Sequence, residues 1–285
     1  MMKVSLVLAT LGRDRELLEF LDSLVNQTYQ NFELIIIDQN IDGKIDAVVE
    51  GFNERLALNH IKVRFTGNSR GKDYGIQFAS GDIVAFPDDD CVYETDVLEK
   101  VVAEFERQKD LGILVAGSYD FSKTQFSIGV NSTKPRKFTQ FSMMGVEFTH
   151  FFNLGKINRE DFFFDHDFGI ATRYSGGEGF ELLYRLLRAR AKAFYTPDIR
   201  IYHANKDAYV VGGERMLKYS SGVGAFIRKF CNEKDVSMLY YILRKMFLAP
   251  AAKIVWALLS LNSKKLSYSF NNLLGIWQGF LAYRK

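Results

Sequence analysis

Cysteine is scarce: Cys91 and Cys231 are the two in 285 residues, and they lie far apart. That excludes a secreted disulfide framework and suits a reducing compartment, with each thiol read as a small buried apolar side chain. No signal peptide is visible, because Met1-Met2-Lys3 runs straight into Val4-Ser5-Leu6-Val7-Leu8, which is too short and has no cleavage site. No stretch qualifies as a transmembrane helix. Residues 236–260 are apolar but broken by Arg244, Lys245, Pro250 and Lys253; residues 266–283 are uncharged but contain Ser267, Ser269, Asn271, Asn272 and Gln278. Internal repeats and low-complexity tracts are absent as well. The expectation is a cytoplasmic chain, soluble or peripheral on the inner face of the cell membrane.

The apolar fraction of 47% and charged fraction of 25% are ordinary globular values, which excludes disordered and fibrous classes. The length fits one large α/β domain with a smaller appended region. The net charge of +3 hides an asymmetry. Residues 214–285 carry 12 Lys and Arg against 3 Asp and Glu, or +9, leaving 25 against 31, or −6, in the rest. A basic, apolar tail on an acidic body points to an anionic partner, and a lipid surface fits because the cations alternate with Leu, Phe, Trp and Tyr. The plain alternative is a solvated helix face covering the body. No nucleic-acid partner is expected, and the oligomeric state is left open.

Strands and helices alternate over the first 117 residues. Val4 to Ala9 and Phe32 to Ile37 are continuous apolar runs of strand length, Ile61 to Phe65 alternates, and Gly81 to Phe86 and Gly112 to Ala116 complete the strand set. Between them, Leu17, Leu18, Leu21, Leu24 and Val25, then Val97, Leu98, Val101, Val102 and Phe105, keep helical spacing. Such alternation implies crossovers and a mostly parallel sheet flanked by helices. Residues 118–174 read as loops and short strands, 175–190 as a helix, 199–203 as a short strand, and the chain beyond 213 as helical. The expected division is 1–213 for the α/β domain and 214–285 for a basic amphipathic helical region.

In open α/β sheets, ligands bind beyond the carboxyl ends of the strands, so residues there carry the functional reading. Asp38 ends the second strand, where a carboxylate can accept from the N–H of a pyrimidine base or simply cap a turn. Asp88-Asp89-Asp90 follows the fourth strand after Pro87. Three adjacent carboxylates repel one another, and a divalent cation, Mn²⁺ or Mg²⁺, relieves the repulsion and brings a diphosphate with it. Gly71-Lys72-Asp73-Tyr74-Gly75, placed between the third strand and the next helix, offers a cation to a phosphate, or only a turn. Ser175-Gly176-Gly177-Glu178 opens a helix holding Glu181 and Arg185. Glu178 serves there as a capping-box acid or as a general base, and Glu181 with Arg185 has ion-pair spacing. His203 ends a strand-like run and is a plausible extra ligand beside an oxygen-rich cation site. His60, His150 and His166 have no such context.

In this order the segments resemble glycosyltransferase family 2, inverting enzymes with the GT-A fold, of the type that builds bacterial polysaccharide such as O-antigen or capsule. Val4 to Thr10 is similar to the family's first strand, and Ser23 to Asp38 is very close to its second. Lys72-Asp73-Tyr74-Gly75 and Ala79-Ser80-Gly81-Asp82 with Phe86-Pro87-Asp88-Asp89-Asp90 resemble the approach to the DXD motif. Phe164 to Gly169, Gly177 to Leu182 and Pro197 to His203 resemble the acidic helix start and the closing strand with its His. Residues 118–163 match poorly, and the C-terminal helices are similar to tails of members acting on lipid-linked saccharides.

The resemblance implies that Thr10, Asp38, Lys72, Asp88 and Asp89 bind nucleotide sugar. It implies Asp90, with Asp88 and His203, as metal ligands, and Glu178 or Glu181 as the base. Two departures stand out: Gln39 replaces a second Asp, and Gly179 occupies the position where many members have the catalytic Asp. The expected activity is transfer of a hexose-like sugar from a nucleotide-diphosphate sugar to a hydroxyl of a glycan or lipid-linked saccharide. A sugar nucleotidyltransferase and a non-catalytic nucleotide-sugar or glycan-binding subunit are the alternatives.

Overall fold

A computed structural model describes residues 1–170, 172–204 and 213–284. The chain divides into two compact units, Met1–Phe164 with Leu182–Asn205, and Asp165–Glu181 with Lys206–Lys285.

The first unit opens with β1 (Val4–Thr10), α1 (Arg15–Val25), β2 (Phe32–Asp38), α2 (Asp46–Glu50), β3 (Leu58–Lys62), α3 (Asn68–Ile76) and β4 (Ile83–Ala85). Then come β5 (Cys91–Tyr93), α4 (Val97–Arg107), β6 (Ile113–Tyr119), β7 (Arg136–Phe138) and β8 (His150–Asn153). Helix α5 (Glu178–Arg188), whose residues 178–181 belong to the second unit, leads into β9 (Ala193–His203). All nine strands share one sheet of order β3-β2-β1-β4-β8-β6-β9-β5, with β7 also on β9. The expectation of a parallel sheet holds for β3-β2-β1-β4 and for the β6–β9 pair. The β4–β8, β6–β8, β5–β9 and β7–β9 pairings are antiparallel, so the sheet is mixed.

The first strands are apolar throughout because both faces are covered. Leu6, Leu8, Leu34 and Ile36 face a core with Leu17, Leu21, Leu24, Val101 and Phe105. On the opposite face, Val7 and Ile37 lie against α3 at Gly75, where an added Cβ would come within 2.4 Å of Val7 and 3.1 Å of Ile37. Helix α3 contains the whole Gly71–Gly75 segment that the sequence reading set between a strand and a helix. Its low apolar content hid it: the helix rests on small residues pressed to the sheet rather than on an apolar stripe. The third strand also begins three residues earlier than Ile61, where Leu58 pairs with Leu34.

In the second unit, α6 (Gly213–Asn232) packs along α9 (Ser263–Ala282), with α7 (Met238–Tyr241), a π-helical turn at Ile242–Leu248 and α8 (Ala249–Leu259) between them in sequence. The two long helices approach so closely that a Cβ on Gly224 would lie 1.8 Å from the carbonyl oxygen of Ile276.

Gly75→Ala should lower stability by about 1–3 kcal/mol through overpacking against the buried, β-branched Val7, outweighing the helix propensity that alanine adds. Denaturant unfolding checks it; an unchanged or raised midpoint would show that α3 is not seated on the sheet through Gly75.

Candidate active site

In the first unit, Thr10, Asp38 and His203 end strands, Asp88–Asp90 lies between β4 and β5, and Lys72 lies within α3. Thr10 and Asp38 close β1 and β2 and are register partners across the parallel pair. Asp38 is fully buried; its carboxylate accepts from the backbone N–H and Nδ2 of Asn40, both at 2.8 Å, and from His60 Nε2 at 2.9 Å. Thr10 donates from Oγ1 to Asp89 Oδ2 at 2.6 Å.

The acidic run lies between β4 and β5. Cys91, the first residue of β5, pairs with His203, the last of β9, and this register brings Asp90 Oδ1 within 3.3 Å of His203 Nε2. Ligand atoms of Asp88, Asp90 and His203 all fall within 4.8 Å of one another. The His203 ring is buried, stacks on Phe148 at 5.0 Å and has no hydrogen-bond partner at Nδ1 among the described residues.

Two cations face these acids. Arg13, just beyond β1, reaches Asp89 at 2.5 Å and Asp90 at 2.7 Å. Lys72 of α3 is fully buried and forms ion pairs with Glu147 and, at 3.7 Å, with Asp88. Burial raises the Asp89 pKa above the ordinary carboxylate value, although Thr10 and Arg13 pull it down. Burial also works against the Arg13 charge, but Asp89 and Asp90 outweigh it and leave its pKa raised.

The second unit holds the acidic helix start. Gly176 and Gly177 have φ of +80° and +89°, a left-handed entry that glycine adopts without strain, and Glu178 begins α5 half-buried. Glu181 is fully buried and accepts from Lys229 Nζ at 2.8 Å, while the same ammonium binds Asp165 at 2.9 Å. Arg185 donates to the carbonyl of Phe163 at 2.7 Å and to that of Asp161.

Sequence reasoning missed Arg13, His60, Glu147 and Phe148. Arg13 follows a strand end and was open to the rule that found the others. His60 lies on the strand whose start was misplaced. Glu147 and Phe148 fall in the aromatic, irregular stretch 118–163, where periodicity gave no purchase.

Comparison with known proteins bears on this arrangement. Glycosyl transferase family 2 matches residues 5–163. A glucosyl-dolichyl phosphate glucuronosyltransferase of Haloferax volcanii is 30% identical over 123 residues, 41% of this chain and 38% of that protein. An uncharacterized glycosyltransferase of Haemophilus influenzae is 32% identical over 123 residues, 41% of this chain and 47% of that one. The chain thus covers less than half the length of these curated relatives. Among solved structures, the mannosyltransferase PcManGT from Pyrobaculum calidifontis, in complex with GDP-Man and Mn²⁺, gives a TM-score of 0.66 at 16% identity, over 99% of this chain and 87% of that one. TarS 1-349 of S. aureus, in complex with UDP-GlcNAc, gives 0.61 at 14%, over 99% and 93%. At such identities the likeness is one of fold, and that fold is GT-A.

His150 of β8 is buried; Nε2 donates to the Met144 carbonyl at 3.2 Å and Nδ1 has no partner among the described residues. Burial, reinforced by the Lys72 charge, lowers its pKa from 6.5 to about 4. Above pH ~6.5 both folded and unfolded states hold it neutral. As pH falls further, the unfolded chain binds a proton that the folded chain refuses, so stability declines until pH approaches about 4. The full loss should be about 3 kcal/mol. Denaturant unfolding across this range, compared with His150→Gln, isolates the contribution; equal slopes for the two proteins would contradict it.

Proposed function

The chain belongs to glycosyl transferase family 2, and from that premise we propose that it is an inverting transferase using a divalent cation, Mn²⁺ or Mg²⁺. It moves a sugar from a nucleotide-diphosphate sugar to a hydroxyl of a glycan or lipid-linked saccharide. The observation that carries this reading is the convergence of Asp88, Asp90 and His203 in the same unit as the buried Asp38. The PcManGT complex with GDP-Man and Mn²⁺ and the TarS complex with UDP-GlcNAc are glycosyltransferase structures of the same fold with donor-type ligands, which supports the substrate class.

The donor set fits such a cation. Two carboxylates and one imidazole converge within 4.8 Å, and hard oxygen ligands with a single nitrogen suit Mn²⁺ or Mg²⁺ better than a soft metal. Asp90, Asp88 and His203 would hold it. When bound, it supplies Lewis-acid stabilisation of the negative charge that develops on the departing diphosphate.

The protein side chains do the rest. Asp38 accepts from the base of the donor, with His60 and Asn40 fixing the carboxylate in place. Thr10 and Arg13 hold Asp89 and Asp90, and Lys72 holds Asp88, so the acids are oriented before the donor arrives. Glu178 takes the proton of the acceptor hydroxyl as its oxygen attacks the anomeric carbon. The bond to the diphosphate breaks on the opposite face, and the nucleoside diphosphate leaves with that electron pair. Glu181 is less suited to be the base because its buried carboxylate is engaged by Lys229. Residues 214–285 work at the cytoplasmic face of a membrane, where a lipid-linked acceptor is available.

Glu178→Gln should lower turnover by ~10²–10⁴-fold with donor affinity nearly unchanged. Glu181→Gln should instead lower thermal stability. If the kinetic loss follows Glu181 and spares Glu178, the base is Glu181. Asp90→Ala should abolish cation-dependent donor binding in calorimetry, and undiminished affinity would remove the metal from the mechanism.

A further inference from the structure

Helices α8 and α9 form a hairpin whose turn is built against ordinary expectation. Leu261 occupies it at φ +48°, a left-handed conformation usually taken by glycine or asparagine after a helix end, and its side chain is 94% exposed. Water rewards neither feature. Leu259 is 76% exposed and Trp256 63%, with Val255 and Leu258 beside them in sequence and more than half exposed. Of the eleven residues of α8, Pro250 and Ala257 are buried. Folded chains in water seldom leave so dense a group of large apolar side chains uncovered.

The charges around this hairpin are also one-sided. Residues 236–285 contain no Asp or Glu and seven Lys or Arg. Lys264 and Lys265 open α9, at the helix end where the backbone dipole favours acids, not cations. Lys265 Nζ lies 5.8 Å from the Trp256 ring centroid, and Lys253 reaches Asn272 at 3.5 Å from the α8 side. Apolar side chains at a tip, an indole next to a lysine and no Asp or Glu in residues 236–285 match the chemistry of an anionic bilayer surface: acyl chains below, phosphates above. A nucleic acid would use the cations but not the leucines. At ~1.5 Å per residue α8 is about 16 Å long, roughly half of a ~30 Å hydrocarbon core. No helix of the described residues is long and apolar enough to cross a membrane.

We infer that the α8–α9 hairpin is an interfacial anchor that inserts Trp256, Leu258, Leu259 and Leu261 into the headgroup boundary of an anionic lipid leaflet, with Lys264 and Lys265 on the phosphates. This rests on the assignment of residues 214–285 to the membrane surface and names the element and the lipid chemistry. The transferase reaction does not depend on it.

The test uses the full chain with vesicles of phosphatidylcholine alone or mixed with phosphatidylglycerol. Flotation should require the anionic lipid. In a Trp277→Phe background, Trp256 fluorescence should shift to the blue on vesicle addition. Leu259→Glu/Leu261→Glu should weaken partitioning at least ~10-fold, and Lys264→Glu and Lys265→Glu roughly fivefold each. Each variant should keep the wild-type melting temperature and rate of donor hydrolysis in solution. Equal flotation with both vesicle types, an unshifted Trp256, or a Leu259→Glu/Leu261→Glu protein that floats like wild type would overturn the proposal. So would a self-associating wild-type chain that becomes monomeric in that variant by ultracentrifugation, since a second copy would then cover the hairpin. Donor hydrolysis lost with vesicle binding intact would count against the catalytic reading alone.

Discussion

Three consecutive carboxylates at the end of a buried strand are a problem in electrostatics before they are a motif. Like charges a few ångströms apart, partly withdrawn from water, repel strongly. The first unit is organised around their neutralisation. Arg13 bridges Asp89 and Asp90, Lys72 meets Asp88 from within α3, and His203 stands against Asp90. With Glu147 included, the named carboxylates outnumber the two named cations. In the proposed function, a divalent cation adds to these contacts.

Those partners meet only because distant parts of the sheet are in register. The antiparallel match of Cys91 with His203 sets Asp90 beside the imidazole, and the parallel match of Thr10 with Asp38 sets the buried Asp38 beside the residue that holds Asp89. A one-residue slip in either ladder would turn these side chains to the opposite face. The core that prevents the slip is the same apolar set, Leu6, Leu8, Leu34 and Ile36, that makes the strands recognisable. Packing and site geometry are therefore two consequences of one alternation.

This explains what could be read without coordinates. Strands β1 and β2 were legible as continuous apolar runs, helices α1 and α4 by their helical period, and the acids because the carboxyl-end rule converts strand ends into a list of residues. Helix α3 was not, since it is held by Gly71 and Gly75 in close approach and by a buried lysine, none of which produces an apolar stripe. Strands β5, β7 and β8 are three or four residues long, below the length at which alternation distinguishes strand from loop. Glu147 and Phe148 carry no local signal at all; their meaning comes from Lys72, 75 residues away, and from His203.

The two acids of α5 show how the same side chain acquires different uses. Glu181 is one turn into the helix, fully buried, and shares the Lys229 ammonium with Asp165, with Phe168 5.7 Å from the same charge. An ion pair so enclosed costs a great deal to break. Glu178 stands at the helix start, behind two glycines in left-handed conformation, and is half-buried. In the proposed function, this half-buried carboxylate is the group that takes the proton of the sugar hydroxyl. In the proposed reading, Gly179 leaves Glu178 as the acid at the helix entry.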